Sequence, residues 1–473
     1  METNKTLWLI LIIQLVLTYF VNLATFTFGG DMIENILWGR TLDFSSDKHP
    51  PFFGWEAFLS VKFAGGSFWF YKMLTPIHQA FLFLFTFLLA KEIFNSEKKA
   101  LLCVIFSAGI IVHLFYFKFN ANSANYGFFG AIYYLFYLAC FKQKKWLFIV
   151  VGFLCAITML IKYSAIIMIG CLWLTIFATK EGREMFKSPF LYLGILVFLG
   201  TLTPYILSIL QTENYGAFGY LSENSLSMKM RWYEVPKLVL LSIAFCIPFL
   251  IAFFKVKEGV FIKSKINNFT GIFLLINAFL PFLLTIFYII FTNSQVGSFW
   301  LCMFFSLFPI MAVYFFEIKE NAIKLSAKII FPLMFLIYLV HLISQILASE
   351  YDVEGIGKFT KEKTEGIDYF ICNEERRVCG MALIYGTDYE NTKMTISKWQ
   401  NPFEEVNKMK EKPSKIAIIG DGEEITLEGY YFEKYEQEFP QYFKFRFIAE
   451  NKILAKRQKS TKIIITIATL NKI

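Results

Sequence analysis

The sequence predicts an all-α polytopic membrane protein carrying a small C-terminal α/β soluble domain. Three observations predict it. Hydrophobic residues make up 56% of the chain and 57 residues are Phe, with a mean hydropathy of +0.52, far outside the soluble norm. Apolar runs of spanning or near-spanning length recur eleven times, at 7–28, 73–90, 101–117, 124–141, 146–161, 163–179, 189–210, 238–254, 268–291, 298–316 and 329–348. Beyond about residue 350 the chain becomes rich in Lys and Glu, with short β-like runs at 415–419, 442–447 and 463–467. The expected division is a transmembrane domain over 1–348 and a C-terminal domain over 349–473.

The first apolar run is too long for the core of a signal peptide, and Asn22-Leu23-Ala24-Thr25-Phe26 offers no small-residue cleavage site. It reads as a retained first helix. Gly29-Gly30-Asp31 follows, and the run 32–42 has apolar residues at 32, 33, 36, 37 and 38. That stretch is short and amphipathic, so it reads as a helix lying in the membrane interface. A similar piece covers 52–63, giving juxtamembrane helices over about 31–66, and Trp38, Trp55 and Trp69 suit the interfacial aromatic belt. In the tail, Ile418-Ile419-Gly420-Asp421-Gly422 lacks the third glycine and the following helical pattern of a nucleotide-binding turn.

Basic residues in the breaks orient the chain. The side that begins with Lys5 and includes Lys98, Lys144, Lys187, Lys263 and Lys324 holds 17 Lys or Arg in all, against nine on the other. The N-terminus is therefore expected in the cytoplasm, with the Asp31 loop, Lys162 and the C-terminal domain exported. This charge distribution accounts for most of the net charge of +9 and implies no nucleic-acid partner. Cys103, Cys140, Cys155, Cys171, Cys246 and Cys302 fall inside apolar runs, as small buried residues do. An exported tail would allow a disulfide between Cys372 and Cys379. No Cys/His spacing suited to a metal occurs.

The residues with chemical capacity crowd the exported breaks. Asp31 could act as a base or cap the helix that follows it. Glu34, one turn on, could assist it, bind an acceptor, hold a cation or simply face water. Lys48 and His49 precede the stiff Pro50-Pro51 step and could hold a phosphate. Lys162 interrupts two apolar runs, where it either snorkels or contacts a phosphate with Tyr163 beside it. The break between Gln211 and Lys237 holds Lys229, Arg231, Trp232 and Tyr233, and an Arg there could close on a phosphate. Asn120 and Asn122 are neutral, which speaks against acid chemistry in their break. His78, His113 and His341 sit singly within apolar runs and read as packing or hydrogen-bonded core residues.

Three of these features, in this order, resemble the GT-C superfamily of lipid-linked-sugar glycosyltransferases: Asp31 after the first helix, His49-Pro50-Pro51 leading to Trp55, and the segment Thr158-Met159-Leu160-Ile161-Lys162-Tyr163-Ser164-Ala165. The similarity is to enzymes of the aminoarabinose transferase and protein O-mannosyltransferase type and runs over roughly 1–345. One departure stands out: many such enzymes carry two adjacent acids at the first motif, whereas Met32 follows Asp31 here and Glu34 is the second acid.

The resemblance implies a GT-C-like bundle of about eleven spans in a bacterial inner membrane. It implies a sugar moved from a polyprenyl (undecaprenyl) phosphate donor to lipid A or another envelope glycan or protein acceptor. Asp31 would activate the acceptor hydroxyl, with Glu34 near it, while Lys48, His49, Lys162, Tyr163 and Arg231 would hold the donor phosphate. A divalent cation is compatible with the superfamily, and the sequence does not establish one. Two rivals are a transporter or flippase of lipid-linked glycans and a glycan polymerase or ligase. The first predicts repeated halves and acids within spans, neither of which the sequence shows; the second lacks the early pairing of Asp31 with Lys48-His49-Pro50-Pro51.

Overall fold

The computed structural model describes residues 2–24, 30–40, 42, 44, 49–115, 119–212, 228–292, 298–347, 353–372, 376–395, 413–421, 442–451 and 461–470. It is a helical bundle with a mixed α/β domain at one end. The bundle opens with α1 (Glu2–Leu23), α2 (Gly30–Gly39), α3 (Phe52–Phe63), α4 (Tyr71–Phe94), α5 (Glu97–Ala108) and α6 (Ile111–Phe115). It continues with α7 (Asn125–Cys140), α8 (Leu147–Ile161), α9 (Ala165–Ala178), α10 (Lys180–Glu184) and α11 (Pro189–Thr212). After these come α12 (Met228–Phe245), α13 (Ile247–Val256), α14 (Phe269–Thr292), a 3-10 helix over Ser298–Leu307, α15 (Phe308–Phe315) and α16 (Ala322–Ile346).

All eleven apolar runs are helical over most of their length. Among the described residues five helices are individually long and apolar enough to cross a membrane, and two sharply bent pairs raise the number to seven. Three of the remaining runs are carried by helices of 12 to 16 residues, α5, α7 and α8, and the run 298–316 by the 10-residue 3-10 helix and the 8-residue α15, each too short to meet a spanning length alone. Prolines lie inside α4, α11, α12, α14 and α16 at Pro76, Pro204, Pro236, Pro281 and Pro332. Neighbouring helices and side chains make such breaks tolerable in a membrane bundle.

Phenylalanine and tyrosine fill the interior: Phe106, Phe129, Tyr133, Phe136, Phe273 and Phe304 are almost wholly buried in one continuous cluster. Polar ties cross between helices. Gln14 Nε2 donates to Gln79 Oε1 at 2.9 Å, Thr18 and Tyr338 share a 2.8 Å hydroxyl bond, and Asn277 Nδ2 donates to Thr175 Oγ1 at 2.9 Å. Each such bond contributes about 0.6 kcal/mol in a membrane interior, so these ties set helix pairing more than total stability. A two-residue antiparallel pair, β1 (Lys257–Glu258) with β2 (Glu317–Ile318), links α13 to the end of α15.

The C-terminal domain holds α17 (Val353–Lys363), β3 (Tyr369–Cys372), α18 (Arg376–Gly386), β4 (Met394–Thr395), β5 (Lys415–Asp421), β6 (Tyr442–Asn451) and β7 (Thr461–Leu470). The strand order is β4-β3-β5-β7-β6, parallel across β4, β3 and β5 and antiparallel across β5, β7 and β6. Residues 415–421 run as a strand to Asp421, with Gly420 opposite Ile464. Cys372 and Cys379 form a disulfide, with Cα atoms 5.6 Å apart, tying the end of β3 to α18.

The amphipathic helix expected after α1 is present as α2, and its apolar residues pack on protein. Ile36 of α2 is buried in the cluster formed by the bundle, while Ile33 and Leu37 are buried in the core of the C-terminal domain. Protein takes both apolar sides of α2, because burial between two packed layers removes more of its surface from water than one interface can.

Candidate active site

The helices α2 and α3 lie across one end of the bundle, and the site forms where they meet it. Their mutual approach is unusually close. A side chain at Gly39 would overlap the carbonyl oxygen of Gly54, and one at Gly54 would lie 3.3 Å from the Gly39 nitrogen and the Asn35 oxygen. Only glycine allows the two backbones to touch in this way. Beneath them, Ile36, Phe53, Val61, Tyr71, Phe119 and Leu160 form one apolar floor that extends to Tyr205 of α11.

Asp31 and Glu34 lie in the first turns of α2, and their side chains lie outside the described ones. The helix begins at Gly30, so Asp31 falls within the first turn and not at the cap; the helix N-terminus favours a negative charge there. By helical spacing positions 31, 34 and 38 share a face of α2, distinct from the faces carrying Ile36 and Ile33. Trp38 on that face lies edge-on to His49, with ring centroids 6.3 Å apart. His49 in turn lies 5.6 Å from the ring of Phe53, at the start of α3. Lys48 lies outside the described residues.

Lys162 occupies an extended residue between α8 and α9 and is only 5% exposed. A lysine so buried is costly unless a polar partner meets it. Its ammonium donates to Asn122 Oδ1. A short turn holds that acceptor: Asn120 Oδ1 accepts the Asn122 N–H at 2.9 Å and the Ser123 N–H at 3.3 Å, and Ser123 Oγ accepts the Asn120 N–H at 3.0 Å. The asparagine thus supplies the ammonium with one fixed acceptor. Tyr163, the next residue, shares a hydrogen bond with the Tyr205 hydroxyl, and their rings stack 6.5 Å apart. Burial pushes the Tyr163 phenol above its ordinary value, which keeps it a neutral donor or acceptor.

Phe119 joins these parts. Its carbonyl accepts Asn35 Nδ2 of α2 at 2.9 Å and the Tyr71 hydroxyl at 3.2 Å. Its ring stacks on His78, 5.8 Å away. His78 is a buried core histidine with a polar partner, as expected: its Nε2 lies 3.5 Å from Glu56 Oε1 of α3, while Glu56 Oε2 is buried with no hydrogen-bond partner among the described residues. Sequence reasoning missed this pair, since the two residues are 22 positions apart on separate helices and neither lies in a motif.

The candidate residues therefore divide. His49, Tyr163 and Lys162 lie at the end of the bundle that carries α2, the helix of Asp31 and Glu34. Arg231 lies near the start of α12, with its side chain outside the described ones, and that helix packs on α14 and the 3-10 helix. Among the described residues no group of three or more His, Cys, Asp or Glu side chains could hold a metal ion.

The family model for dolichyl-phosphate-mannose-protein mannosyltransferases matches residues 48–207, from Lys48 through the floor of the site to α11. It begins after Asp31. No curated protein sequence matches the chain. The crystal structure of ArnT from Cupriavidus metallidurans in the apo state has a similar fold, with a TM-score of 0.65 at 10% identity, over 98% of each chain. Taken together, this multi-pass membrane chain is similar over residues 48–207 to the mannosyltransferase family and shares its fold, along the whole length, with ArnT.

Proposed function

We propose that the chain transfers a sugar from a polyprenyl phosphate, undecaprenyl phosphate in a bacterial inner membrane, to lipid A or another envelope glycan or protein on the periplasmic face. The observation that carries this reading is the buried, asparagine-anchored Lys162 at the same end of the bundle as α2 and His49. A fixed cation in a poorly hydrated site suits a leaving phosphate, because charge stabilisation there is stronger than in water. The matching family's description names a lipid phosphate sugar as donor, and the excess of basic residues in the opposite breaks supports an exported site.

In this mechanism the Asp31 carboxylate takes the proton of the acceptor hydroxyl. The hydroxyl oxygen bonds to the anomeric carbon as the bond from that carbon to the phosphate oxygen breaks, and the electron pair leaves with the phosphate. Lys162, His49 and Lys48 receive the developing negative charge, with Tyr163 and Arg231 as further phosphate contacts, and Glu34 orients the acceptor. Attack opposite the phosphate inverts the anomeric centre.

Mass spectrometry of envelope lipids, lipid A first, tests the reading in the parent, a deletion strain and the deletion carrying Asp31→Asn. Loss of a sugar-sized mass in both mutants, with an accumulated undecaprenyl-phosphate sugar, is the expected result. A change on deletion that Asp31→Asn does not reproduce would remove Asp31 as the base and favour a transporter.

A further inference from the structure

We infer that the C-terminal domain sets the position of α2 through a contact between Gly380 and Ile33, making Gly380 a positioning residue for the helix that carries Asp31. The catalytic consequence rests on the function proposed above; the positional claim does not.

The contact is closer than ordinary packing. A methyl group at Gly380 would overlap Ile33 Cγ2, with Ile33 Cβ at 3.3 Å and Leu37 Cδ1 at 3.5 Å. Gly380 lies inside α18, where glycine costs up to about 1 kcal/mol relative to alanine. Helix propensity thus argues against glycine at this position, and the close approach to α2 supplies the reason for it. Ile33 and Leu37 are wholly buried in the core of the C-terminal domain beside Cys379, Met381 and Leu383.

Two further ties keep the domain registered on this end of the bundle. Arg40, just past α2, donates to the Leu37 carbonyl at 2.6 Å and to the Met394 carbonyl of β4 at 3.4 Å. Lys62 of α3 meets Glu390 at 3.3 Å. The Cys372–Cys379 disulfide ends one residue before Gly380, so the part of α18 that presses on Ile33 is tied to β3 of the sheet. On its other side α2 rests on Gly54 of α3. The helix is clamped between two glycine contacts, and a shift at one has no free space to absorb it.

The test is a double-mutant cycle on the full chain in lipid nanodiscs, using Gly380→Ala, Ile33→Ala and the pair. Hydrogen exchange of residues 30–40 is read by mass spectrometry, alongside transfer from the lipid-linked sugars of a bacterial membrane extract. Gly380→Ala is expected to raise exchange in α2 and to lower turnover roughly tenfold to a hundredfold, the scale of an ångström-sized misplacement. Donor KM should move little, since the phosphate contacts on Lys162 and His49 are unaltered.

Ile33→Ala removes the overlapping Cγ2, so the double variant should return both readouts to within about threefold of the parent, the non-additivity of a direct contact. Unchanged exchange in Gly380→Ala, or no rescue in the pair, overturns the inference. Raised and rescued exchange with unchanged turnover overturns its catalytic half. If the parent shows no transfer that Asp31→Asn removes, the proposed function fails while hydrogen exchange still decides whether Gly380 positions α2.

Discussion

Lys162 and Asn122 show how a charged group is kept usable in an apolar setting. Burial makes the ammonium expensive unless a polar acceptor meets it, and an amide oxygen, itself fixed by the Asn120–Ser123 turn, is one such acceptor. Lys162→Met should lower turnover by about two to three orders of magnitude, the loss typical of one charge-stabilising group, with the bundle still inserted. Asn122→Leu should have a smaller effect on rate and cost about 1–3 kcal/mol of stability, because one acceptor for a buried donor disappears. Thermal unfolding in detergent together with turnover separates the two. Asp31→Asn, as a lost general base, should cost about 10²–10⁴ in rate without moving the melting temperature. A fall in melting temperature with unchanged rate would mark Asp31 as structural.

Single contacts between elements carry more of the architecture than any one motif. Gly39 and Gly54 bring α2 and α3 to backbone contact; Gly39→Ala should destabilise this end by about 1–3 kcal/mol through overpacking, measured as a lower unfolding temperature. In the C-terminal domain, Asp368 fastens the entry to β5. Its carboxylate accepts the Ser414 hydroxyl, the Ser414 N–H at 2.9 Å and the Lys415 N–H at 3.0 Å. The Ser414 hydroxyl foremost, then the backbone N–H groups and the Lys415 charge, hold its pKa below the ordinary 3.8. A carboxylate with a depressed folded-state pKa contributes stability above the unfolded value, and that stability is lost as the pH falls through the folded one. Asp368→Asn should therefore lower the unfolding temperature at neutral pH, and the difference should vanish below the ordinary carboxylate range. Equal destabilisation at both pH values would show that charge is not the cause.

At the scale of the whole molecule, membrane topology and active-site assembly are one problem. Alkaline phosphatase fused after Ile473 should be active and the same enzyme fused after Lys145 inactive, as the basic bias of the breaks requires. The reverse pattern would turn the site to the cytoplasm. The apolar runs, the strands β5, β6 and β7 of the C-terminal domain and the α3 helix were legible in the chain, since each depends on local composition and period, while the short β3 and β4 were not. The role of α2 was half legible: its amphipathic pattern announced a helix but not what would cover it.

Sequence alone determined that this chain is a multi-span membrane protein, which segments are apolar, and which polar residues sit in the breaks between them. Hydrophobicity and charge are properties of individual residues and short windows, so they can be read along one dimension. Tertiary structure alone decided that Asn122 meets Lys162, that Glu56 meets His78, and that Gly380 presses on Ile33. Those pairings join residues 22 to 347 positions apart, and a contact at such distance is created by how helices pack, which no local pattern records.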